Sequence, residues 1–185
     1  MKVKDILISA LKLISRSDIA DKLESNGELT AEESETLNTL LFCYNAVENE
    51  VALNYVSLTF TETISSSTGE FFFSVFTHMP YRIKKVISDG KEISFETNAR
   101  YMYADTNKAT ITYDYAPTKK SVDMNSEFGM LVGEMLLAYG TAAEYCVISG
   151  EIEAADIFES KYRSELDVVR SSGRTSGYLP PRRWV

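Results

Sequence analysis

The chain has 185 residues and a formal net charge of −8, a length that suits one domain with a real core, or one core plus a small excursion. Its hydrophobic share of 44% and charged share of 25% are those of an ordinary globular protein. Residues 1–167 carry 15 basic and 27 acidic side chains, a charge of −12, which argues against general nucleic-acid binding by the body.

Taken in order, Val3, Ile6, Leu7, Ala10, Leu11 and Ile14 fall on one face at helical spacing, so residues 3–14 are predicted to form an amphipathic helix. The N-terminus shows no signal-peptide cleavage pattern. A short helical turn over residues 18–23 is stopped by Ser25-Asn26-Gly27. Thr30 followed by Glu33 is a capping box, in which the hydroxyl accepts from a first-turn N–H and the carboxylate reaches back. The helix it starts runs to about Leu53, with Leu37, Leu40, Leu41, Tyr44, Val47 and Val51 on one stripe.

The period then changes from helical to alternating. Val56, Leu58 and Phe60 alternate with Ser57, Thr59 and Thr61, the pattern of a half-buried strand. A loop over residues 65–69 precedes a second strand over residues 71–76. Residues 82–88 and 91–95 flank Asp89-Gly90, a two-residue hairpin signal. Residues 101–103 and 110–115 flank a polar turn, and Pro117 ends the module. About six short strands of this kind imply a small antiparallel sheet or sandwich. Helix is expected to resume near Ser126, made slim by Gly129, Gly133, Ala138, Gly140, Ala142 and Ala143. Residues 130–148 are the most apolar window, but Glu134 and Glu144 within it argue for a buried helix and against a membrane span. After Gly150 a last helix carries Ile152, Ala155, Phe158, Tyr162, Leu166 and Val169 on one face and charge on the other.

The expected fold class is therefore α+β: a mainly α-helical bundle with an inserted small antiparallel β-module and an extended C-terminal arm. The expected boundaries are 1–54 for the first half of the bundle, 55–117 for the β insertion, 118–171 for the second half, and 172–185 for the arm. Four helices are expected to close on one core. The arm is the most distinctive stretch. No acid follows Asp167, whereas Arg170, Arg174, Arg182 and Arg183 do. Gly and Ser loosen it, Pro180 and Pro181 forbid helix, and Trp184 is the chain's single Trp. A cationic, aromatic terminus suits docking on an acidic partner or on another copy of the same body, with Arg174, Tyr178, Leu179, Pro180, Pro181, Arg182, Arg183, Trp184 and Val185 as partner-binding residues.

No catalytic constellation stands out, and neither a cofactor nor a metal site is expected. His78 is the sole histidine. It sits before Pro80 at an expected strand end, where a surface or turn role outweighs a Ser/His/Asp mechanism that would need an acid and a nucleophile beside it. Cys43 and Cys146 read as buried reduced thiols, with no metal-binding spacing. Glu32, Glu33 and Glu35, in a helix first turn, and Glu48 and Glu50 read as a solvated face. Gly129 and Gly133 read as tight packing within the bundle. The aromatics of the β-module, with Lys84, Lys85, Lys91, Arg100, Lys108, Lys119 and Lys120 nearby, could stack nucleic acid, although core or subunit interface is the simpler use of strand aromatics.

Thr110-Ile111-Thr112-Tyr113-Asp114-Tyr115-Ala116-Pro117 ahead of a helix is followed by Leu137-Ala138-Tyr139-Gly140-Thr141-Ala142-Ala143-Glu144-Tyr145-Cys146. Gly150-Glu151-Ile152-Glu153-Ala154-Ala155, Lys161-Tyr162-Arg163-Ser164-Glu165-Leu166 and the final Arg182-Arg183-Trp184-Val185 come after it. With these segments in this order of elements, the chain resembles the head-to-tail adaptor (connector) proteins of tailed bacteriophages. The resemblance implies a structural virion protein of the neck, assembled in the host cytoplasm. Such a protein forms a homo-oligomeric ring, commonly of twelve copies, whose arm packs on the portal. A stopper or tail protein lies below, and DNA passes through the lumen without sequence-specific binding. It implies neither enzyme activity nor a membrane. Related neck proteins, such as stoppers and tail-completion proteins, share similar roles. Two other classes stay open: a small nucleic-acid-binding module that uses Lys84 and Lys85, and a hydrolase that depends on His78.

Overall fold

A computed structural model describes residues 1–129 and 132–172. The fold is α+β, with helices at both ends of the described chain and strands between them. It divides into two compact units, Met1–Val51 with the chain from Lys119 onward, and Ala52–Thr118.

Five helices are described. Helix α1 is Val3–Leu13, α2 Ser17–Ser25, α3 Ala31–Asn54, α4 Glu134–Ser149 and α5 Ile152–Ser172. The expected short turn after α1 is thus a full helix, α2. Asn26 closes it in the left-handed conformation at φ 53°, which Asn tolerates better than most residues. The capping box forms as expected. The Glu33 N–H donates to Thr30 Oγ1 at 3.3 Å, and the Thr30 N–H donates to Glu33 Oε2 at 2.8 Å. Lys22 adds its ammonium to the same carboxylate at 2.7 Å, tying α2 to the start of α3.

In the helical unit α1 packs on α2 and α4, and α4 packs on α5. Val3, Ile6, Leu7 and Leu11 are buried, as are Leu37, Leu40, Tyr44 and Val47 on α3 and Leu136 and Leu137 on α4. Three helices meet at Gly140. A Cβ there would lie 2.8 Å from Val47 Cγ1 of α3 and 3.0 Å from Tyr162 Cε2 of α5, so this glycine permits a close approach that Ala would crowd.

Three expectations for this unit are corrected. Helix does not resume near Ser126; α4 starts at Glu134 after Gly133. The stretch before it is held extended by backbone partners: the Val3 N–H donates to Met124 O and the Ser126 N–H to Met1 O, each at 3.0 Å. Gly129 and Gly133 consequently lie outside any helix, and among the described residues a Cβ at either would meet nothing within 4 Å, so the expected packing within the bundle does not account for them. Ile152, expected on the inner face of the last helix, is exposed, whereas Ala155, Tyr162 and Leu166 are buried as expected.

The β unit holds seven short strands. These are β1 Leu58–Ser65, β2 Glu70–Phe72, β3 Pro80–Ser88, β4 Lys91–Glu92, β5 Glu96–Thr97, β6 Tyr101–Tyr103 and β7 Lys108–Tyr115. They form a four-stranded sheet in the order β1-β7-β3-β4 and a three-stranded sheet in the order β2-β6-β5, all antiparallel. Burial alternates along β1, and Asp89 and Gly90 take positive φ of 48° and 76° at the β3–β4 turn, the conformation a primed turn requires. Phe71, Phe76, Val86, Met102, Ile111 and Tyr113 form the core of this unit.

The strands differ from the expected ones in four places. Strand β1 continues through Ser65, which shortens the loop after it. The run 71–76 is strand only as far as Phe72. A 3-10 turn over Phe73–Val75 follows, and it carries both Phe71 and Phe76 inward while Phe72 stays exposed. Strand β6 does not pair with β7 across the polar turn. It pairs with β2 and β5, while β7 lies between β1 and β3. Residues 91–95 likewise break after Glu92, and the chain crosses to the second sheet at Glu96.

Candidate interaction surfaces

The residues expected to bind a partner, Arg174, Tyr178, Leu179, Pro180, Pro181, Arg182, Arg183, Trp184 and Val185, lie outside the described residues. What is on view is the body such an arm departs from, and the polar and apolar surfaces that body presents.

On the β unit the most structured polar feature is Asp114, whose side chain is fully buried between cations. Register places it opposite Thr59 on β1 and Arg82 on β3. Arg82 Nη2 lies 2.6 Å from Oδ2 and Lys84 Nζ 2.7 Å from Oδ1. The Thr59 hydroxyl donates to Oδ1 at 2.8 Å and accepts from Lys84 Nζ at 3.0 Å. Burial alone would raise the pKa of this carboxyl, but bonds from Lys84, Arg82 and Thr59 outweigh it and hold the group below the usual carboxylate range. Beyond the knot, Thr61 pairs with Thr112 and Thr63 with Thr110, each at 2.9 Å, so hydroxyls zip β1 to β7. Lys85 lies 3.3 Å from Glu92. The cations that a nucleic-acid reading would use, Lys84 and Lys85, therefore both face carboxylates.

His78 occupies a bend before β3, stacked on Tyr115 with ring centroids 4.1 Å apart and edge-on to Phe60 at 5.0 Å. The Tyr113 hydroxyl accepts from the His78 N–H at 3.3 Å and donates to Glu62. Glu62 also accepts the Thr77 N–H at 2.9 Å and the Thr77 hydroxyl at 2.8 Å. Burial pushes Tyr113 up to about 12, and the Glu62 carboxylate adds to the shift, so the phenol stays protonated at neutral pH and acts as a donor. Burial works against the Glu62 carboxylate, but Tyr113 and Thr77 hold its pKa down. These bonds splice the 73–79 crossing to β1 and β7. The imidazole packs against the rings of Phe60 and Tyr115.

In the helical unit Glu48 departs from the solvated-face expectation. Its side chain is buried, and Oε1 accepts the Ser126 hydroxyl at 2.7 Å and the Glu127 N–H at 3.0 Å. Glu50 accepts from the Tyr162 hydroxyl at 3.1 Å. Asn45 closes the same region, accepting the Lys120 N–H at 2.6 Å. A sequence pattern could not single out Glu48, because its partner Ser126 is 78 residues away. Cys43 and Cys146 are buried and unbridged. Burial pushes Cys43 up to about 11, with Glu144 adding to it, which leaves the thiol protonated and unreactive at neutral pH.

Two shallow depressions lie on the helical unit. One, of about 530 Å³, is lined by Ala31, Glu35, Asn38, Phe42 and Ile148 among others. The second, of about 630 Å³, is lined by Gly150, Glu151, Ile152, Glu153, Ala154 and Ile157. The β unit has a smaller cavity of about 280 Å³ with Phe73, Pro80, Tyr81, Ile83 and Phe95 on its walls and Arg82 beside them. Among the described residues no group of three or more His, Cys, Asp or Glu is placed to hold a metal ion, and no helix is long and apolar enough to cross a membrane. No protein-family model matches the chain, and no curated protein matches it in sequence.

Proposed function

We propose that this chain is a structural subunit of a tailed-phage neck, a head-to-tail adaptor that assembles as a ring between portal and tail and docks through its C-terminal arm. The observation that supports this reading is the order of parts: helices, an antiparallel insertion between α3 and α4, helices again, and then a cationic, Trp-bearing arm after α5. The body has the surface chemistry of a scaffold. Its polar clusters tie elements to one another, as Asp114 and Glu48 do. A charge of −12 over residues 1–167 suits the wall of a channel that must pass DNA without holding it, since like charges repel the phosphates. Burial of Tyr178, Leu179 and Trp184 in a partner would offset the ordering entropy of the arm, and Arg182 and Arg183 would pair with partner carboxylates.

The test is to mix the purified chain with the portal of the same phage and image the product. A ring stacked on the portal is the expected outcome, together with loss of docking when residues 174–185 are deleted and an unchanged helical signal in the deletion variant. A chain that ignores the portal at all concentrations removes the reading.

A further inference from the structure

We infer that an apolar shelf on the helical unit, made by Phe42, Ile148, Ile152 and Ile157, receives the C-terminal arm of a second copy of this chain. The inference rests on the reading of the arm as a latch and adds a receptor for it within the same protein. The shelf is built from three helices. Phe42 of α3 and Ile148 of α4 line one depression, and Ile152 and Ile157 of α5 line the other. The left-handed Gly150, at φ 79°, joins α4 to α5 between them. These side chains are large and open: Phe42 is 64% exposed, Ile148 55%, Ile152 and Ile157 58%. Apolar side chains gathered this way, with acids at their margin, mark an interaction surface.

The margin has one sign of charge. Glu35 borders the first depression, and Glu151 and Glu153 border the second. No Lys or Arg occurs in residues 23–81 or 121–160, the two stretches that supply every residue of the shelf. An occupant must therefore bring apolar side chains and positive charge together. Residues 174–184 do both, with Tyr178, Leu179 and Trp184 set among Arg174, Arg182 and Arg183 and no acid. Pro180 and Pro181 restrict the chain between them, which lowers the entropy lost on docking.

Reach favours a second copy over the arm's own body. The arm leaves α5 at Ser172, and Ile152 begins the same helix, so latch and shelf sit at opposite ends of an element about 30 Å long. Tyr178, six residues on, is at most about 22 Å of taut chain from Ser172, and Trp184, twelve on, at most about 43 Å. On its own copy only the tip of the arm therefore reaches Ile152, whereas a second copy can seat Tyr178, Leu179 and Trp184 there together. A contact from one end of a copy to the opposite end of the next is heterologous and chains copies head to tail. A portal would then compete with the sister copy for the same arm.

Trp184, the single Trp, makes the contact visible without a label. The experiment follows tryptophan emission of the full chain over a dilution series, alongside sedimentation. The expected result is a blue-shifted, buried emission at high concentration that reverts to a water-exposed one as the complex dissociates, with weaker association at high salt. Ile148→Asp with Ile152→Asp should weaken association about tenfold or more. Glu151→Lys with Glu153→Lys should do the same and be rescued by Arg182→Glu with Arg183→Glu. Water-exposed emission at every concentration overturns the inference, as does association that the shelf variants leave unmoved. A buried emission independent of concentration places the arm on its own copy and also overturns it. Ring formation on the portal is read separately, so either reading can fail alone.

Discussion

The helical unit and the β unit handle their acids in opposite ways. In the β unit Asp114 is enclosed by Arg82, Lys84 and Thr59, and Glu62 is capped by Tyr113 and Thr77. Charge there is spent internally, to align three strands. The helical unit also has its structural acids, Glu33 on Lys22 and Glu48 on Ser126. Yet around Phe42, Ile148 and Ile152 it leaves Glu35, Glu151 and Glu153 in stretches without a single Lys or Arg. An acid that has found its cation within the fold stabilises the fold; a one-signed margin around apolar side chains is suited to a cation that arrives from elsewhere. Both units use acids structurally, but the one-signed margin belongs to the helical unit.

Substitutions can break that contrast, beginning with the largest effect. Gly140→Leu should destabilise the helical unit by about 3 kcal/mol, because the added side chain overpacks the junction with Val47 and Tyr162. Hydrogen exchange resolved by residue should show the loss in α3, α4 and α5. Asp114→Asn removes the carboxylate that both cations share, and a loss of about 2 kcal/mol is expected, seen as faster exchange in β1, β3 and β7. The same carboxylate predicts an acid limit. Its folded pKa lies below the unfolded value, so its contribution is present above pH of about 4 and is lost as pH falls through the folded value. A urea titration of the wild type from pH 7 to pH 3 should show this loss, and in Asp114→Asn the corresponding part of the pH dependence should vanish. Thr30→Ala should cost about 1 kcal/mol through the lost cap of α3, measured by thermal unfolding. Ile152→Asp sharpens the comparison from the other side. It alters an exposed residue, and stability should move by no more than about 0.5 kcal/mol, while self-association weakens.

The elements with strong local grammar were legible before any coordinates. The 3.6 spacing of Ile6, Leu7 and Leu11, the Thr30/Glu33 box and the Asp89-Gly90 turn each depend on residues a few positions apart, so their physics is local. The arm's chemistry and the cation-free stretches can be counted directly. The errors fell where a distant partner decides. Residues 126–129 resemble a helix start, but Glu48 and Met1 hold them extended. Tyr101-Met102-Tyr103 resembles the hairpin partner of β7, but Glu70-Phe71-Phe72 claims it.

By itself, the sequence determined the α+β class, the cap of α3 and the Asp89-Gly90 turn, the buried thiols and the uneven distribution of charge, because composition and short-range periodicity carry those properties. Only the tertiary structure decided that Asp114 is buried between two cations, that Gly140 and not Gly129 or Gly133 is the close-approach site, and that Phe42 shares a surface with Ile148. Such pairings join residues 22 to 106 positions apart, and long-range contact of that kind is set by packing of whole elements, which no local pattern encodes.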